Sequence, residues 1–328
     1  MLIDSFNRQI TYLRISVTDR CNFRCVYCMP TEGIQWQRHE TIMPYEDIAK
    51  IVQIAVEAGI REVRITGGEP LVRRNIEDLI RQISAIPGIQ DLSLTTNGVL
   101  LKRHAKALAL AGLKRVNVSL DTLRPDLYSK ITRGGELQDV LDGIEAAEQN
   151  ALIPIKINAV VMKGVNSDEI GDLAGLTLDH DWNVRFIELM PIKNQKSWGN
   201  EFHSPESMYM PISEVKKKLE SLKLIPVSNP AGEGPAEDFR MPNSRGSIGF
   251  ISPLSQSFCK KCNRLRLTAD GNLRPCLLSD LEIPVWETLK EGGDVSGLIQ
   301  KAVRLKPENH ELDENHSPSI RCMMQIGG

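Results

Sequence analysis

Residues 12–30, YLRISVTDRCNFRCVYCMP, join a strand pattern to three closely spaced cysteines, and both fold and chemistry depend on this junction. The first seven residues place polar Arg14, Ser16 and Thr18 between apolar neighbours. Because successive residues of a strand face opposite sides of its sheet, this alternation predicts a strand with one apolar and one polar face. The cysteines follow at once, so they should lie just beyond the end of the first strand.

Five further strand patterns follow, each separated from the next by an apolar pattern of helical period. The six strands are predicted at 12–18, 62–66, 91–97, 115–121, 154–162 and 183–190. Such alternation is typical of a parallel sheet with right-handed crossovers. A closed eight-unit barrel needs ~250 residues, whereas the alternation here ends after six units, near residue 192. The prediction is an α/β fold, either an open, partial barrel or a doubly wound sheet.

Polar residues share one face in five of these six strands. They are Arg14, Ser16 and Thr18, then Arg64 and Thr66, then Ser93, Thr95 and Asn97, then Asn117, Ser119 and Asp121, then Lys156 and Asn158. The apolar face should pack against helices, which leaves the polar face pointing inward. Because unpaired buried cations are costly, inward Arg14, Arg64 and Lys156 indicate an anionic ligand. The alternative is a sheet face in contact with water.

The composition is that of a globular protein, with 41% hydrophobic and 25% charged residues. No run of 18 apolar residues could span a membrane, and the first 14 residues do not resemble a secretion signal. We therefore expect a cytoplasmic protein, whose seven cysteines are metal ligands or reactive thiols rather than disulfides. The net charge of -2 argues against a nucleic-acid partner.

The pattern changes after residue 192. Residues 193–210 form a polar loop long enough to act as a lid, and a Gly/Pro-rich segment occupies 229–247. A hairpin with Asp270-Gly271 as its turn is predicted within NRLRLTADGNLRPC. We predict two domains: residues 1–210 with the first cysteine group, and an α+β region at 211–328 with a second.

The first cysteine group comprises Cys21, Cys25 and Cys28, with the spacing C-x3-C-x2-C. An odd number argues against a disulfide set. Structural zinc takes four ligands, and the nearest histidine is His39. Three thiolates suit a [4Fe–4S] cluster that leaves one iron open to a small molecule.

The second group comprises Cys259, Cys262 and Cys276, with the spacing C-x2-C-x13-C. Zinc is a stronger alternative here, since C-x2-C with a distant third ligand is common at zinc sites. Beside the first group, a second open cluster fits better. Arg264 and Arg266 lie two apart on the predicted strand and should point to one side, where guanidinium groups could bind phosphate, carboxylate or a purine edge. The alternative is a strand edge that faces solvent.

The stretch CNFRCVYC resembles the signature of the radical S-adenosylmethionine (SAM) family, including Tyr27 before the third cysteine. In that family the open iron binds the amino and carboxylate groups of SAM, which is cleaved to methionine and a 5′-deoxyadenosyl radical. TGGEP, at 66–70, resembles the family motif that meets the SAM amino group. Gly67 and Gly68 permit close approach of a ligand to the backbone, and Glu69 could hold an ammonium. The alternative is an ordinary tight turn.

From about residue 4 to its end, the chain resembles the GTP 3′,8-cyclases of molybdenum cofactor biosynthesis. The likeness rests on both cysteine spacings, on the terminal IGG, and on the stretches ITGGEP, TTNG, SLDTL and NRLRLTADG. It implies a partial six-unit (β/α) barrel that holds the SAM cluster. It also implies a carboxy-terminal region with a second [4Fe–4S] cluster, whose open iron contacts the guanine of GTP.

The resemblance assigns residues to each ligand. Iron is held by Cys21, Cys25, Cys28, Cys259, Cys262 and Cys276. SAM is contacted by Tyr27, Gly67, Gly68, Glu69, Ser119 and Met190. GTP is contacted by Arg14, Arg64, Thr95, Lys156, Arg264, Leu265 and Arg266. Catalytic roles fall to Arg14, Arg264, Arg266 and to a tail that enters the active site in the family, Gly327 and Gly328. The seventh cysteine, Cys322, matches no ligand position.

The implied reaction begins when the deoxyadenosyl radical abstracts the ribose 3′ hydrogen of GTP. The carbon radical then attacks C8 of guanine, which yields 3′,8-cyclo-7,8-dihydro-GTP. The resemblance also implies a homodimer and an electron donor that the sequence does not identify. Two alternatives are a radical SAM peptide maturase with an auxiliary cluster, which usually carries more carboxy-terminal cysteines, and a zinc-binding module without catalysis.

Overall fold

The structure is a computed structural model that describes residues 1–190, 202–228, 234–310, 312 and 321–327. The strands within these ranges are β1 (Tyr12–Ser16), β2 (Glu62–Thr66), β3 (Asp91–Thr96), β4 (Arg115–Ser119), β5 (Lys156–Val161), β6 (Asn183–Glu188), β7 (Ile225–Pro226), β8 (Glu237–Arg240), β9 (Ser247–Ile251), β10 (Arg264–Leu267), β11 (Asn272–Arg274) and β12 (Ile283–Pro284). The α-helices are α1 (Tyr45–Ala58), α2 (Ile76–Ser84), α3 (Leu101–Leu110), α4 (Pro125–Thr132), α5 (Leu137–Gln149), α6 (Ile170–Asp179), α7 (Ile212–Lys218), α8 (Val285–Lys290) and α9 (Val295–Arg304). Of the helices in the described ranges, none has the length and apolar character needed to cross a membrane.

All of these strands join one sheet, in the order β12-β11-β10-β1-β2-β3-β4-β5-β6-β9-β8-β7. Every pairing from β10 through to β9 is parallel, and the outermost pairings at both ends are antiparallel. The six predicted strands are neighbours in chain order, without the reversal that a doubly wound sheet would show. The predicted partial barrel is therefore confirmed.

Strands from the carboxy-terminal region extend the parallel sheet on both sides. β10 pairs with β1 and β9 pairs with β6. The predicted hairpin is present as β10 and β11, with Gly271 at a φ of 79° in the turn. β8 and β9 were not predicted, because the Gly/Pro-rich segment around them hides strands that form by pairing with β6 far away in sequence. The division into domains at residue 210 stays a prediction.

The helices cover the apolar face of the sheet. In α1 the buried residues Ile48, Ile51, Val52 and Ala55 recur every three or four positions, so they form one stripe. This stripe belongs to the same apolar core as Ile15 of β1. Full burial of each aliphatic side chain contributes roughly 1.5–3 kcal/mol, which fixes the strands against their helices.

The opposite face of the sheet carries the predicted polar residues. The register places Arg14 beside Arg64 on one side and beside Arg266 on the other, and places Arg64 beside Ser93. Further along, Asn117 of β4 lies beside Lys156 of β5. The loops that follow the parallel strands leave one edge of the sheet, where ligands bind in such folds.

Candidate active site

The first cysteine group lies in the loop after β1. A tight turn within the loop brings the backbone N–H of Cys28 to the carbonyl of Cys25, at 2.9 Å. The N–H of Val26 donates to the carbonyl of Ile131 at 2.9 Å, which ties the loop to α4. Arg133 adds a bond to the carbonyl of Met29 at 2.8 Å. The loop conformation is therefore fixed from outside the cysteine group.

The three thiols lie in a buried environment. Burial raises the pKa of Cys21 to about 11 and that of Cys28 to about 12. Burial, followed by the charges of Cys28, Asp121 and Cys21, raises the pKa of Cys25 well above its usual value. Three thiolates therefore need a strong positive partner here, and iron supplies one.

Tyr27 links the cysteine loop to β4 and β5. Its hydroxyl donates to Asp121 Oδ2 at 2.7 Å, and the other oxygen of that carboxylate accepts the backbone N–H of Val160 at 2.8 Å. Asn166 donates to the backbone carbonyl of Asp121 at 2.7 Å. The sequence placed Asp121 only on the polar face, and its role as an anchor for this loop is new. Contact of Tyr27 with SAM stays a prediction.

The glycines of TGGEP lie directly against the cysteine loop. The N–H of Gly68 donates to the carbonyl of Thr18 at 2.7 Å, and the N–H of Glu69 donates to that of Arg20 at 2.8 Å. A Cβ added to Gly68 would lie 2.4 Å from the carbonyl oxygen of Arg20, and one on Gly67 would lie 2.8 Å from that of Thr18. The motif therefore requires glycine for packing of its own backbone, whatever ligand it meets.

The carboxylate of Glu69 accepts hydrogen bonds from other groups of the protein. Its carboxylate accepts from the N–H of Leu71 at 3.0 Å, the hydroxyl of Thr96 at 2.8 Å and the N–H of Asn97 at 2.7 Å. Burial raises the pKa of Glu69 to about 7. These contacts join the loops after β2 and β3, and the predicted contact with the SAM amino group stays a prediction.

The other two residues assigned to SAM lie at the same edge. Ser119 ends β4, and Met190 follows β6 by two positions. Both are partly exposed. All six predicted SAM residues thus lie in the loop after β1 or at the carboxyl ends of β2, β4 and β6, at one edge of the sheet.

A cluster of cations, all buried except the half-buried Arg14, lines the polar face of the sheet. It contains the predicted Arg14, Arg64, Lys156 and Arg266, and two residues that the sequence analysis missed, Arg115 and Arg185. Burial, then the charges of neighbouring arginines, lowers the pKa of Lys156 to about 5. Burial likewise lowers the pKa of Arg185 to about 9 and that of Arg266 to about 10. Such mutual repulsion indicates that a polyanion belongs here.

The two missed arginines differ in their partners. Arg115 forms an ion pair with Asp91, with a shortest distance of 2.5 Å. Arg185 donates to the side-chain oxygen of Asn183, and the side-chain nitrogen of Asn183 donates to Asp238 at 2.8 Å. Arg115 lies on the same parity as the polar residues of β4, so the alternation could have identified it. The mixed pattern of β6 gave no such signal for Arg185.

Several buried polar atoms on these strands lack a hydrogen-bond partner within the described ranges. They are Tyr12 Oη, Thr95 Oγ1, Asn117 Oδ1, Asn158 Oδ1 and one terminal nitrogen of Arg185. Buried polar atoms are nearly always bonded in native proteins. This face of the sheet therefore fits a polar ligand, and Thr95 is among the residues assigned to GTP.

The second cysteine group flanks the β10–β11 hairpin. The N–H of Cys262 donates to the carbonyl of Cys259 at 3.0 Å in a single turn before β10, and Cys276 follows β11. Burial opposes ionisation of Cys262, but the charges of Arg264 and Lys306 outweigh it and lower its pKa to about 6. Unlike the cysteines of the first group, Cys262 therefore ionises easily to the thiolate that binds a metal.

The residues between these cysteines join the two sites. Arg264 lies beside Tyr12 of β1, and Arg266 lies beside Arg14. The guanidinium of Arg264 also lies over the ring of Phe258, 4.7 Å from its centroid. Leu265, by contrast, is buried in the apolar core, so only its backbone is available to a ligand on the polar side.

The carboxy-terminal tail reaches the polar face of the sheet. Arg266 donates to the carbonyl of Gly327 at 2.7 Å. Gly327 has a φ of 66°, and a Cβ there would lie 2.5 Å from Thr66 Cγ2. Arg321 fixes the start of the tail by donating to Asp270 and to Glu282, each at 2.7 Å. Gly328 lies outside the described residues, as do 193–201 of the predicted lid.

Cys322 lies in this tail, near the first cysteine group. Its charge is one cause of the raised pKa of Cys28, and the backbone of Met324 bonds to the same thiol. The sequence treated Cys322 as unrelated to the clusters. The structure places it beside one of them, although no role in ligation follows from that position.

Neither cysteine group resembles a single-ion site. No three His, Cys, Asp or Glu side chains converge on one point in the part of the chain that the structure describes. One zinc ion would hold every thiolate at about 2.3 Å. A [4Fe–4S] cluster binds each thiolate through a different iron, so its ligands stand further apart. Three thiolates in each group suit a [4Fe–4S] cluster that leaves one iron open, whereas structural zinc takes four ligands.

Comparison with known proteins agrees with this geometry. The model of the radical SAM superfamily matches residues 15–177, and that of Molybdenum Cofactor Synthesis C matches residues 182–312. The SAM-bound structure of Streptococcus suis SuiB is similar over 89% of this chain and 68% of its own, with a TM-score of 0.62 and 15% identity. The AdoMet-bound structure of anSMEcpe is similar over 92% of this chain and 79% of its own, with a TM-score of 0.57 and 15% identity. At these identities the likeness shows the fold alone.

Curated relatives match the chain from end to end. The GTP 3′,8-cyclases of Alkaliphilus metalliredigens and Pelotomaculum thermopropionicum are each 48% identical, with 99% of both chains covered. That of Listeria monocytogenes is 46% identical over 100% of this chain and 99% of its own. These relatives favour the cyclase over the peptide maturase and the zinc-binding module. The two cysteine groups, the cation-lined face of the sheet and this full-length identity together show that the chain belongs to the GTP 3′,8-cyclase family of radical SAM enzymes.

Proposed function

We propose that this chain converts GTP into 3′,8-cyclo-7,8-dihydro-GTP, the cyclisation that its family contributes to molybdenum cofactor biosynthesis. The proposal rests on the row of cations on the polar face of the sheet. The first cysteine group follows one strand of this row, β1, and the second flanks another, β10. A nucleoside triphosphate is a polyanion with a neutral purine at one end. Such a ligand suits a sheet face that is lined by cations and has the second cysteine group beside it.

The cofactors of the family are two [4Fe–4S] clusters and SAM. Cys21, Cys25 and Cys28 would hold the first cluster, and the second group would hold the other. When bound, the first cluster and SAM supply the radical that removes the ribose 3′ hydrogen. The burial that raises the pKa values of Cys21 and Cys28 would also exclude water from that chemistry.

The cations would bind the triphosphate. After burial, the charges of Arg185 and Arg64 lower the pKa of Lys156, and the charge of Arg64 lowers that of Arg185, so phosphate oxygens among them would offset a repulsion as well as form bonds. Guanidinium forks also match phosphate geometry. Arg185 is absent from the residues that the sequence assigned to GTP, and we add it to them.

The guanine end would lie near the second cysteine group. Arg264 and Arg266 follow Cys262 on β10, with Arg266 beside Arg14. Arg266 also holds the tail through the carbonyl of Gly327. Arg266 would thus contact both the substrate and the tail. The tail would then lie against the substrate and exclude water while the substrate radical exists.

The central experiment is anaerobic incubation of reconstituted protein with GTP, SAM and dithionite. We expect 5′-deoxyadenosine to form only when GTP is present, together with the cyclised product. Iron should reach about eight atoms per chain, whereas a zinc protein would contain none. Deoxyadenosine formation that ignores GTP, or protein that takes up zinc in place of iron, would refute the proposal.

A substitution tests the substrate side. Arg266→Ala should lose product while both clusters still assemble, since the residue is not a ligand. Full activity in this variant would contradict the assignment of β10 to the substrate.

The proposal also includes a cytoplasmic homodimer that receives electrons from a separate reductase.

A further inference from the structure

We propose that Lys306 is a positioning residue for the second cluster, which fixes the two backbone segments that carry Cys262 and Cys276 and raises the reduction potential of the cluster they hold. This inference rests on the proposed function, because it assumes that the second cysteine group binds a [4Fe–4S] cluster. It concerns a residue outside both cysteine motifs, in the segment just after α9.

The contacts of Lys306 carry the positioning argument. The side chain is 3% exposed, and its ammonium donates to the carbonyl of Arg264 at 2.8 Å and to that of Pro275 at 2.7 Å. It also forms a hydrogen bond with the thiol of Cys262. An ammonium has three donors, and all three are directed at the chain around the cysteines. One side chain therefore fastens both arms of the hairpin to the end of α9.

The charge of Lys306 carries the redox argument. Among the described residues it forms no ion pair with a carboxylate, and the opposite charges that act on it are the thiolates of Cys262 and Cys276. A buried cation is weakly screened and favours the more negative, reduced state of a neighbouring cluster. Hydrogen bonds to the sulfurs and local charge are known to set cluster potentials.

A second buried cation at the same site shows the contrast. Arg8 donates to the carbonyl of Cys259 at 2.7 Å and also to that of Glu308 at 2.8 Å. It is paired with Asp4 at 2.6 Å, and both side chains are buried. Arg8 therefore positions its cysteine without adding net charge. Both residues position this cysteine group, but of these two only Lys306 adds positive charge that no carboxylate among the described residues offsets.

The test measures the second cluster alone. In a full-length background with Cys21, Cys25 and Cys28 changed to Ala, we would compare Lys306, Lys306→Met and Lys306→Arg by EPR-monitored redox titration. Lys306→Met should lower the ratio of reduced to oxidised cluster at a fixed potential about tenfold, which is a 59 mV fall for a one-electron couple. Lys306→Arg keeps the charge and should stay within about twofold of the parent ratio. Arg304→Met, an exposed cation at the end of α9, should change nothing.

The outcomes separate this inference from the proposed function. Should the parent background take up no iron, the second group is not a cluster site and the proposed function itself fails. If the cluster assembles and Lys306→Met leaves the ratio unchanged, this inference alone is overturned. If Lys306→Met loses iron, the Lys306→Arg variant decides: restored iron at the parent potential supports the inference, and iron loss in it as well overturns it.

Discussion

Lys156 should take up a proton when GTP binds, and replacing it by Met should abolish that uptake. The side chain is 1% exposed and lies among cationic neighbours on the polar face of the sheet. In the ligand-free protein its pKa is lowered to about 5, by burial first and then by the charges of Arg185, Arg115 and Arg64. At pH 8 the amine is therefore neutral. A bound triphosphate reverses the local potential and favours the ammonium.

The size of the effect follows from the difference between pH and pKa. Protonating Lys156 at pH 8 spans about three pH units, and at 1.36 kcal/mol per unit it costs about 4 kcal/mol of the gross binding energy. Because the complex holds one more proton than the free protein, the affinity for GTP should fall about tenfold for each unit of rising pH. The window from pH 7.5 to 8.5 suits the measurement, since the terminal phosphate, with a pKa of about 6, is already ionised there.

The assay is anaerobic calorimetry of GTP binding in buffers of different ionisation enthalpy. The cluster-loaded protein should take up about one proton per GTP at pH 8, and Lys156→Met should take up none. Binding by this variant should also lose its pH dependence within the window. If both proteins show the same proton uptake and the same pH dependence, Lys156 does not face the triphosphate and the reasoning is wrong.

Four further outcomes follow from the contacts described. Ligand-free Lys156→Met should be more stable than the parent, by up to ~4 kcal/mol near pH 7.5 in denaturant unfolding, because folding forces Lys156 to lose its proton. The free energy of unfolding of the parent should rise as pH rises towards 10.5, whereas that of the variant should not. Gly68→Ala should lose the first cluster, about half of the iron, because its Cβ would meet a carbonyl at 2.4 Å, whereas Gly171→Ala, with open space around it, should keep all iron; equal iron contents would contradict this. Tyr27→Phe removes a 2.7 Å bond worth about 1 kcal/mol or more, so a chelator should strip the first cluster several-fold faster, and an unchanged rate would count against the anchor. Arg321→Ala should release the tail and reduce deoxyadenosine formation at least tenfold with GTP affinity nearly kept, and parent turnover would show that this anchor is not needed.

Much of the fold follows from local pattern. The six parallel strands and their helices have strong periodicity, and β1 to β6 lie where the alternation predicts them. β8 and β9 could not be found in this way, because a Gly/Pro-rich segment surrounds them and their stability comes from pairing across the sheet. Propensity is a weak guide where distant strands supply the hydrogen bonds.

The candidate site divides along similar lines. Cysteine spacing and the parity of polar residues identified both metal groups and most of the cations. Arg185 escaped because β6 lacks a clean alternation, and Lys306 because it lies in a segment with no motif. The anchoring role of Asp121 depends on a loop that arrives from β1, so only tertiary structure could reveal it. Residues that act through a neighbour leave little trace in sequence.

The register between β1 and β10 has a consequence for synthesis of the chain. Tyr12 lies beside Arg264, which comes 252 positions later in the chain. At ~5–20 residues per second, a ribosome needs roughly 13–50 s to make the partner of the first strand. Throughout that interval the edge of β1 that later pairs with β10 has no partner strand, so its backbone groups can pair with other chains. Slower translation should therefore increase aggregation of this protein in the cell, and a holding chaperone should counteract it.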